Sequence, residues 1–255
     1  MRDRVTLVKI GTNLLTTESG TLDLDTMRSL THQISDGISR GEGPFLLVTS
    51  GAITCGSEAL HLTPTTIPEK QAAAAVGQSL LMRKYATFFG ERGIQVGQIL
   101  LTRDVFDDQE RMTHVRNTTM TLLQHGIVPI FNENDCVATD EIGMKFGDND
   151  QMSLMVAKLL DVTDLFLLTD VDGVYDRNPK NYSDAKLMPE IKEISDDFLS
   201  KLEDATSGRS RGGMKSKLTV AKGASEFGIT VVIANGRAQN VLSSGVGTRI
   251  SGHTR

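Results

Sequence analysis

The sequence of 255 residues has no tryptophan, six prolines and two cysteines. Cys55 and Cys136 cannot form a disulfide framework, and their spacing matches no metal-site motif. An uninterrupted apolar run of about 18 residues, which a membrane-spanning helix needs, is also missing. The N-terminal residues have no apolar stretch followed by a small-residue cleavage site, so we expect no secretory signal. We therefore expect a cytoplasmic protein that does not depend on disulfides.

The overall charge is weakly acidic, with a net charge of −5 and a pI of about 5.6. This balance argues against binding to nucleic acid or to a membrane surface through bulk charge. Hydrophobic residues make up 39% of the chain, which is enough for a sizeable core. Glycine is plentiful, at 24 residues, and no proline-rich linker is visible. We expect a single domain over residues 1–255 with many tight turns.

Apolar runs typical of buried strands alternate with segments of helical periodicity. The predicted strands are Val5–Ile10, Phe45–Thr49, Ile94–Leu101, Ile127–Phe131, Leu165–Leu168 and Ile229–Ala234. The predicted helices are 25–38, Gln71–Phe89, Gln109–Gln124, Gln151–Leu160 and Met214–Phe227. This alternation predicts an α/β fold with a mainly parallel sheet that is covered by helices on both faces. Ligands of such sheets bind outside the carboxyl ends of the strands.

Two of the predicted strands end in residues that suit an anionic ligand. Lys9 lies near the end of the first strand, where burial is costly unless an anionic partner is present, and Gly11 permits close backbone approach. A lysine on an edge strand that reaches solvent would explain Lys9 equally well. Ser50 follows the second strand, where small residues predict either a pocket with a hydroxyl donor or a plain tight turn.

Amide and carboxylate side chains are concentrated between the fourth strand and the next helix. Asn132 and Asp135 come first, followed by Asp148, Asn149 and Asp150 at the start of the helix. One of the last three is explained as a helix N-cap, but three exceed that need. Such groups can hold a zwitterionic small molecule or orient lysines and Mg²⁺. The spacing of an EF-hand calcium loop is absent.

Two later segments suit a nucleotide. Thr169 and Asp170 follow a buried strand and could bind a base or ribose, although Asp172 and Gly173 beside them are explained by a simple turn. Residues 207–217, SGRSRGGMKSK, precede a helix, so the free N–H groups and the dipole of its N-terminus could bind phosphate oxygens. A solvated basic loop is the alternative. Neither a Walker A loop nor a G-x-G-x-x-G motif occurs.

These segments, taken in order, resemble the amino acid kinase family, and in particular its members that act on glutamate. The matching segments are VKIGTNLLT, LVTSGAI, QAAAAVGQSLLM, GQILLTRDVF, IVPIFNENDCVAT, FGDNDQMSLMVA, LLTDVDGVY and GGMKSKL. The resemblance implies an α/β/α sandwich in which residues of about 1–160 hold the amino acid and about 161–255 hold ATP. It also implies transfer of the γ-phosphoryl of Mg·ATP to the side-chain carboxylate of L-glutamate, the first step of proline biosynthesis. The PUA domain that many members append is not expected here.

The resemblance also implies roles for individual residues. Those implied to be catalytic are Lys9, Asp150 and Lys217. The implied glutamate ligands are Ser50, Asp135 and Asn149, with Asn132 and Asp148 nearby. The implied nucleotide contacts are Lys9, Gly11, Thr169, Asp170, Arg211, Gly212, Gly213, Met214, Lys215, Ser216 and Lys217. No metal ligand is expected on the protein, because Mg²⁺ would arrive with ATP. Arg211 stands where the family commonly has a small residue, and could add a phosphate contact or crowd the loop.

The same resemblance implies partners and leaves alternatives. Proline is a possible feedback inhibitor, a glutamyl phosphate reductase is a possible recipient of the product, and a homodimer or homotetramer is expected. The alternatives within the family are kinases of acetylglutamate, carbamate, uridylate or isopentenyl phosphate. A non-catalytic nucleotide-binding or storage protein on the same scaffold is a further alternative.

Overall fold

A computed structural model describes residues 4–138, 149–179, 181–199 and 213–252. Within these ranges the alternation of strands and helices follows the predicted order. Three residues to which the resemblance gives a role, Asp148, Arg211 and Gly212, lie outside the described ranges. No helix of the described residues is long and apolar enough to cross a membrane. The expected cytoplasmic location stays a prediction.

The described residues form six principal helices and an eight-stranded sheet. The strands are β1 Thr6–Ile10, β2 Phe45–Val48, β3 Val96–Leu101, β4 Val128–Glu133, β5 Asp164–Thr169, β6 Glu190–Ile191, β7 Thr230–Asn235 and β8 Thr248–Ile250. The helices are α1 Leu24–Ser39, α2 Ala52–Leu60, α3 Ile67–Gly90, α4 Gln109–Gln124, α5 Asn149–Leu159 and α6 Met214–Ser225. The strand order is β3-β4-β2-β1-β5-β7-β8-β6, and among the strand pairs of the described ranges only β7–β8 is antiparallel.

The two faces of the sheet carry separate hydrophobic cores, because successive residues of a strand point to opposite faces. Val8 belongs to the core that α1, α2 and α3 cover, whereas its neighbour Leu7 belongs to the core that α5 and α6 cover. The partly buried apolar residues of α4 pack against the second core. These two helical layers and the sheet between them confirm the predicted α/β/α sandwich with a mainly parallel sheet.

Strand β1 lies in the interior of the sheet, where it pairs with β2 on one side and β5 on the other. Lys9 is therefore not on an edge strand, and the alternative of a lysine that reaches solvent is wrong. Its side chain is 5% exposed. A lysine buried to this degree requires a carboxylate partner.

Several element boundaries differ from the predicted ones. Helix α2 was not predicted; it begins directly after Gly51, whose positive φ of 100° lets the chain turn sharply from β2 into a helix. Helix α3 begins at Ile67, ahead of the predicted Gln71, because Thr66 and Glu69 form a capping box. Strand β4 continues through Glu133, so Asn132 lies within a strand. Strands β6 and β8 are too short to show a periodicity.

Two glycines bring α2 and α3 into unusually close contact. A Cβ added at Gly77 would lie 1.8 Å from the carbonyl oxygen of Ala52, and one added at Gly56 would lie 1.7 Å from that of Ala73. No other residue fits at such distances. The close packing brings the middle of α3 to the carboxyl end of β2, which is the edge where the ligand site is expected.

Candidate functional site

The residues singled out at the strand ends lie along one edge of the sheet. Lys9 is in β1, Ser50 follows β2, Asn132 is in β4 and Thr169 ends β5. The register aligns Lys9 with Val48 of β2, and Val48 with Phe131 of β4. Because all these strands are parallel, their carboxyl ends meet at one edge of the sheet.

A buried carboxylate joins two lysines that are far apart in the sequence. Asp150, in the first turn of α5, is 0% exposed. Its Oδ1 forms an ion pair with Lys9 Nζ, and its Oδ2 accepts a hydrogen bond of 3.0 Å from Lys217 Nζ. Lys217 is itself buried and comes from the first half of α6. We call these three residues the lysine–aspartate cluster.

The charges in the lysine–aspartate cluster stabilise one another. Burial alone would raise the pKa of the Asp150 carboxyl, but the ammonium groups of Lys9 and Lys217 outweigh this effect and hold the pKa below its usual range. Asp150 therefore stays ionised at neutral pH. It holds two cations at one point of the sheet edge, where an anionic group between them would be stabilised.

Beside the cluster, side-chain amides are linked in a chain of hydrogen bonds. Asn149 Nδ2 donates to the carbonyl oxygen of Thr49 at 2.6 Å, to Ser50 Oγ at 2.8 Å and to Asn132 Oδ1 at 3.1 Å. Asn132 Nδ2 in turn donates to Gln78 Oε1 at 2.8 Å. We call Asn149, Asn132 and Gln78 the amide chain. It connects α5, β4 and α3 across the carboxyl end of β2.

Asp135, just beyond β4, is a carboxylate with no compensating cation among the described residues. No hydrogen bond or ion pair to another residue in the described ranges reaches its side chain. Burial raises its pKa to about 6. A half-buried carboxylate in this state favours a cationic ligand group, because such a group would replace the solvation that the side chain has lost.

On the other side of the cluster lie the residues predicted to contact a nucleotide. Thr169 Oγ1 donates to the carboxylate of Asp170 at 3.1 Å at the end of β5. Helix α6 begins at Met214 with Gly213 as its N-cap, and no side chain of the described residues caps it. Its first-turn N–H groups therefore suit phosphate oxygens. Lys215 and Ser216 are half-buried in that turn. Gly11 lies against the side chain of Lys9: a Cβ added at Gly11 would be 3.3 Å from Lys9 Nζ.

Sequence reasoning assigned no role to Gln78 or Tyr85, both in α3. The Tyr85 hydroxyl, fully buried, forms a hydrogen bond of 2.6 Å with Thr49 Oγ1 and so supports the turn after β2. Gln78 belongs to the matching segment QAAAAVGQSLLM, but its alanines and glycine indicate only close helix packing. The sequence feature that could have indicated Gln78 is its neighbour Gly77. A glycine inside a helix often marks a point where another backbone segment packs closely, which here brings this part of α3 to the site.

The described residues contain no group of three or more His, Cys, Asp or Glu side chains that could hold a metal. Both cysteines are free thiols: Cys55 is buried and Cys136 is exposed. The fold and site therefore define a class, the three-layer α/β/α proteins whose ligand site lies at the carboxyl edge of a mainly parallel sheet, here with buried cations at its centre.

Comparison with known proteins identifies one family within this class. The sequence profile of the amino acid kinase family matches residues 4–235, and the chain belongs to this family. A solved isopentenyl phosphate kinase in a substrate complex superposes with a TM-score of 0.64 at 21% identity, covering 97% of this chain and 99% of that one. This structural likeness supports the fold alone.

Closer relatives by sequence share a single name. The glutamate 5-kinase of Thermoanaerobacter sp. (strain X514) is 44% identical over 239 residues, which covers 93% of this chain and 63% of that protein. The glutamate 5-kinase of Clostridium perfringens (strain 13 / Type A) is 44% identical over 240 residues, covering 92% of this chain and 89% of that protein. The chain thus spans less than two thirds of the first relative's length.

Proposed function

We propose that this chain transfers the γ-phosphoryl group of ATP to the side-chain carboxylate of L-glutamate. The observation that carries the proposal is the lysine–aspartate cluster, in which Asp150 holds Lys9 and Lys217 together at the carboxyl edge of the sheet. Support for glutamate as the acceptor comes from the relatives named glutamate 5-kinase.

The chemistry explains why lysines rather than a general base stand at the centre. In the reaction, a carboxylate oxygen of glutamate forms a bond to the γ-phosphorus, and the bond from that phosphorus to the bridging oxygen of ADP breaks. The side chain of glutamate has a pKa of about 4.3, so the nucleophile is already ionised and no proton is transferred. The obstacles are repulsion between two anions and loss of alignment, which cations and positioning overcome. In the proposal, Lys9 and Lys217 stabilise the migrating group while Asp150 positions them.

The polar groups next to the cluster suit an amino acid. Asp135 and the Oδ1 of Asn149 are acceptors for an ammonium group, and Ser50 carries a hydroxyl at the same edge. Asn149 donates a hydrogen bond to Asn132, which fixes the orientation of both side-chain amides before a ligand binds. In the proposal these side chains hold glutamate, with Asp148 added to them from outside the described ranges. The half of about 1–160 is thus the amino-acid half.

The half of about 161–255 is proposed to hold ATP. Thr169 and Asp170 would contact the nucleoside, and the first turn of α6, from Gly213 to Lys217, would contact the phosphates. Gly11 leaves room for phosphate oxygens beside Lys9, while Arg211 and Gly212 belong to the same proposed loop. Mg²⁺ would be held mainly by ATP and water, as such ions commonly are, and would supply positive charge that neutralises the phosphates.

The experiment is an acceptor panel with Mg·ATP and hydroxylamine. Hydroxylamine traps an acyl phosphate as a hydroxamate, which is detected by its ferric complex. We expect hydroxamate and ADP with glutamate, and neither with carbamate, uridylate, isopentenyl phosphate or acetylglutamate. Tight binding of ATP and glutamate without ADP release would contradict the proposal and favour a non-catalytic protein. A product from another acceptor would contradict the assignment of glutamate.

Three further expectations go with this proposal and stay predictions. They are inhibition by proline, transfer of the acyl phosphate to a reductase, and assembly into a homodimer or homotetramer. Each has a direct measurement: inhibition kinetics, coupled flux with the reductase, and light scattering.

A further inference from the structure

A backbone carbonyl fixes which side-chain atoms of the amide chain donate hydrogen bonds and which accept them. The oxygen of Thr49 can only accept, so the atom of Asn149 that lies 2.6 Å from it is the nitrogen. The same nitrogen donates to Asn132 Oδ1, which leaves Asn132 Nδ2 as the donor to Gln78 Oε1. The orientation of the Gln78 amide follows: its oxygen faces Asn132, and its nitrogen is left for another partner.

Both open ends of the amide chain are buried and have no hydrogen-bond partner among the described residues. Gln78 Nε2 and Asn149 Oδ1 are shielded from solvent and have no hydrogen-bond partner within the described part of the chain. A buried donor or acceptor without a partner destabilises a protein, so such atoms are rare unless ordered water or a ligand completes them. One end lacks an acceptor and the other lacks a donor. This pattern suits a ligand that presents both, as an amino acid does.

The strand order separates the Gln78 end from the lysine–aspartate cluster. Gln78 is bonded to Asn132 of β4, and β2 lies between β4 and β1, which carries Lys9. Two strand spacings of about 4.8 Å place β4 roughly 10 Å from β1. A ligand whose reacting carboxylate meets the lysines therefore extends its other end toward the amides. The nitrogen of Gln78 can only donate, so the ligand atom that it meets is an acceptor.

We propose that Gln78 donates a hydrogen bond to the α-carboxylate of the amino-acid substrate and determines specificity for that group. The inference rests on the proposed function and extends it to a residue on α3 that neither the family profile nor the relatives' names assign. Asn149 Oδ1, at the opposite end of the amide chain, accepts from the substrate ammonium together with Asp135. Gln78 does not touch the reacting carboxylate, so its role lies in binding rather than in turnover.

Gln78→Glu tests this directly, because it keeps the oxygen that Asn132 needs and replaces the donor with an anionic acceptor. A carboxylate facing the α-carboxylate of glutamate is repelled, and we expect the glutamate KM to rise by about 10²-fold with the ATP KM unchanged. Glutamate α-amide keeps the reacting carboxylate but presents an NH₂ donor to residue 78. In Gln78→Glu, the ratio of kcat/KM for glutamate to kcat/KM for the α-amide should therefore be lower than in wild type by about 10²-fold or more.

Two further variants complete the experiment. Gln124→Glu adds the same charge at the end of α4, before β4 and thus at the opposite edge of the sheet, and should leave both KM values unchanged. Gln78→Met removes the donor without adding charge, should raise the glutamate KM about tenfold, and keeps the test available if Gln78→Glu does not fold. Thermal melting reports folding for each variant.

The outcomes separate the inference from the proposed function. Wild-type protein that forms no glutamyl hydroxamate contradicts the proposed function, and the role of Gln78 fails with it. Active wild type with a glutamate KM unchanged within twofold in both Gln78 variants overturns the inference alone. An equal loss for glutamate and its α-amide also overturns it, because a merely structural role would affect both acceptors alike.

Discussion

Lys217 Nζ donates a hydrogen bond of 3.0 Å to Asp150 Oδ2 across a separation of 67 residues in the sequence. Both side chains are buried, and Lys9 occupies the other oxygen of the same carboxylate. The contact joins α6, which belongs to the proposed nucleotide half, to α5, which belongs to the proposed amino-acid half.

Lys9→Ala and Lys217→Ala should each lower kcat by about 10²–10³-fold, the usual effect of removing a donor aimed at developing charge. Each variant leaves Asp150 with one lysine, so we expect both to fold. Lys222→Ala is the matched control, since Lys222 lies on the same helix and pairs with Asp196 at the surface. Steady-state kinetics that showed near-normal turnover for either lysine variant would contradict the role given to that lysine.

Asp150→Asn should lower both activity and stability, because it leaves two buried ammonium groups without their shared carboxylate. Breaking a buried ion pair in this way typically costs about 3–5 kcal/mol. The folded-state pKa of Asp150 lies below its ordinary value of 3.8, so the unfolded chain takes up the proton first on acidification. The contribution of Asp150 to stability is thus complete above that value and is lost as the pH falls below it.

Chemical denaturation at several pH values checks this linkage. As the pH falls below about 4, wild type should lose stability more steeply than Asp150→Asn does. Parallel pH profiles for the two proteins would show that Asp150 is not held ionised by the lysines.

Asp135 should couple glutamate binding to pH. Its pKa of about 6 means that the carboxylate is neutral below that pH and cannot pair with the substrate ammonium. The glutamate KM should therefore rise as the pH falls below about 6, toward tenfold per unit. Initial rates at varied glutamate concentration and saturating ATP, taken at several pH values, measure this KM. In Asp135→Asn the KM should be high and nearly independent of pH over the same range; a wild-type KM that stays constant to pH 5 argues against this role.

The same substitution should stabilise the free protein at neutral pH. The folded-state pKa of Asp135 lies above the ordinary value of 3.8, so its ionisation opposes folding fully once the pH exceeds both values. Thermal melts of Asp135→Asn should accordingly show a higher Tm at pH 7.5, with a smaller gain at pH 4. A lower Tm at pH 7.5 would mean that other groups already compensate the carboxylate.

Gly77→Ala should disturb the site through packing. The added Cβ would lie 1.8 Å from the carbonyl oxygen of Ala52, so α3 must move away from α2 and carry Gln78 with it. We expect a loss of about 1–3 kcal/mol in unfolding free energy together with a raised glutamate KM. Gly90→Ala, at the end of the same helix, meets nothing within 4 Å and should be neutral or slightly stabilising. Equal effects of the two substitutions would contradict this explanation.

The sheet and most of its helices could be predicted because the strands are continuous apolar runs, as buried parallel strands must be. Lys9 stood out as a charged group in a buried strand, and Asp150 as one of three polar residues at a helix start, where a single N-cap needs only one. Helix α2 could not be predicted, since Ser50 and Gly51 indicate a turn whether a loop or a helix follows. The short strands β6 and β8 form by pairing with neighbours, which local sequence does not reveal.

The role of Gln78 was hidden for a different reason. Its position in a helix rich in alanine and glycine predicts packing, and only the tertiary contact with Asn132 shows where its amide points. The lysine–aspartate cluster itself likewise depends on a contact across the whole fold, although the sequence resemblance already grouped its three members. The roles of Asp148, Arg211 and Gly212, which lie outside the described ranges, stay predictions.

The most direct test of the account is a crystal structure with Mg²⁺, a non-hydrolysable ATP analogue and glutamate bound together. We predict Lys9 Nζ and Lys217 Nζ both within hydrogen-bond distance of the γ-phosphoryl group, with the side-chain carboxylate of glutamate facing the phosphorus. A complex in which the two ammonium groups contact different ligands, or in which one of them faces away from the phosphates, would contradict the central claim.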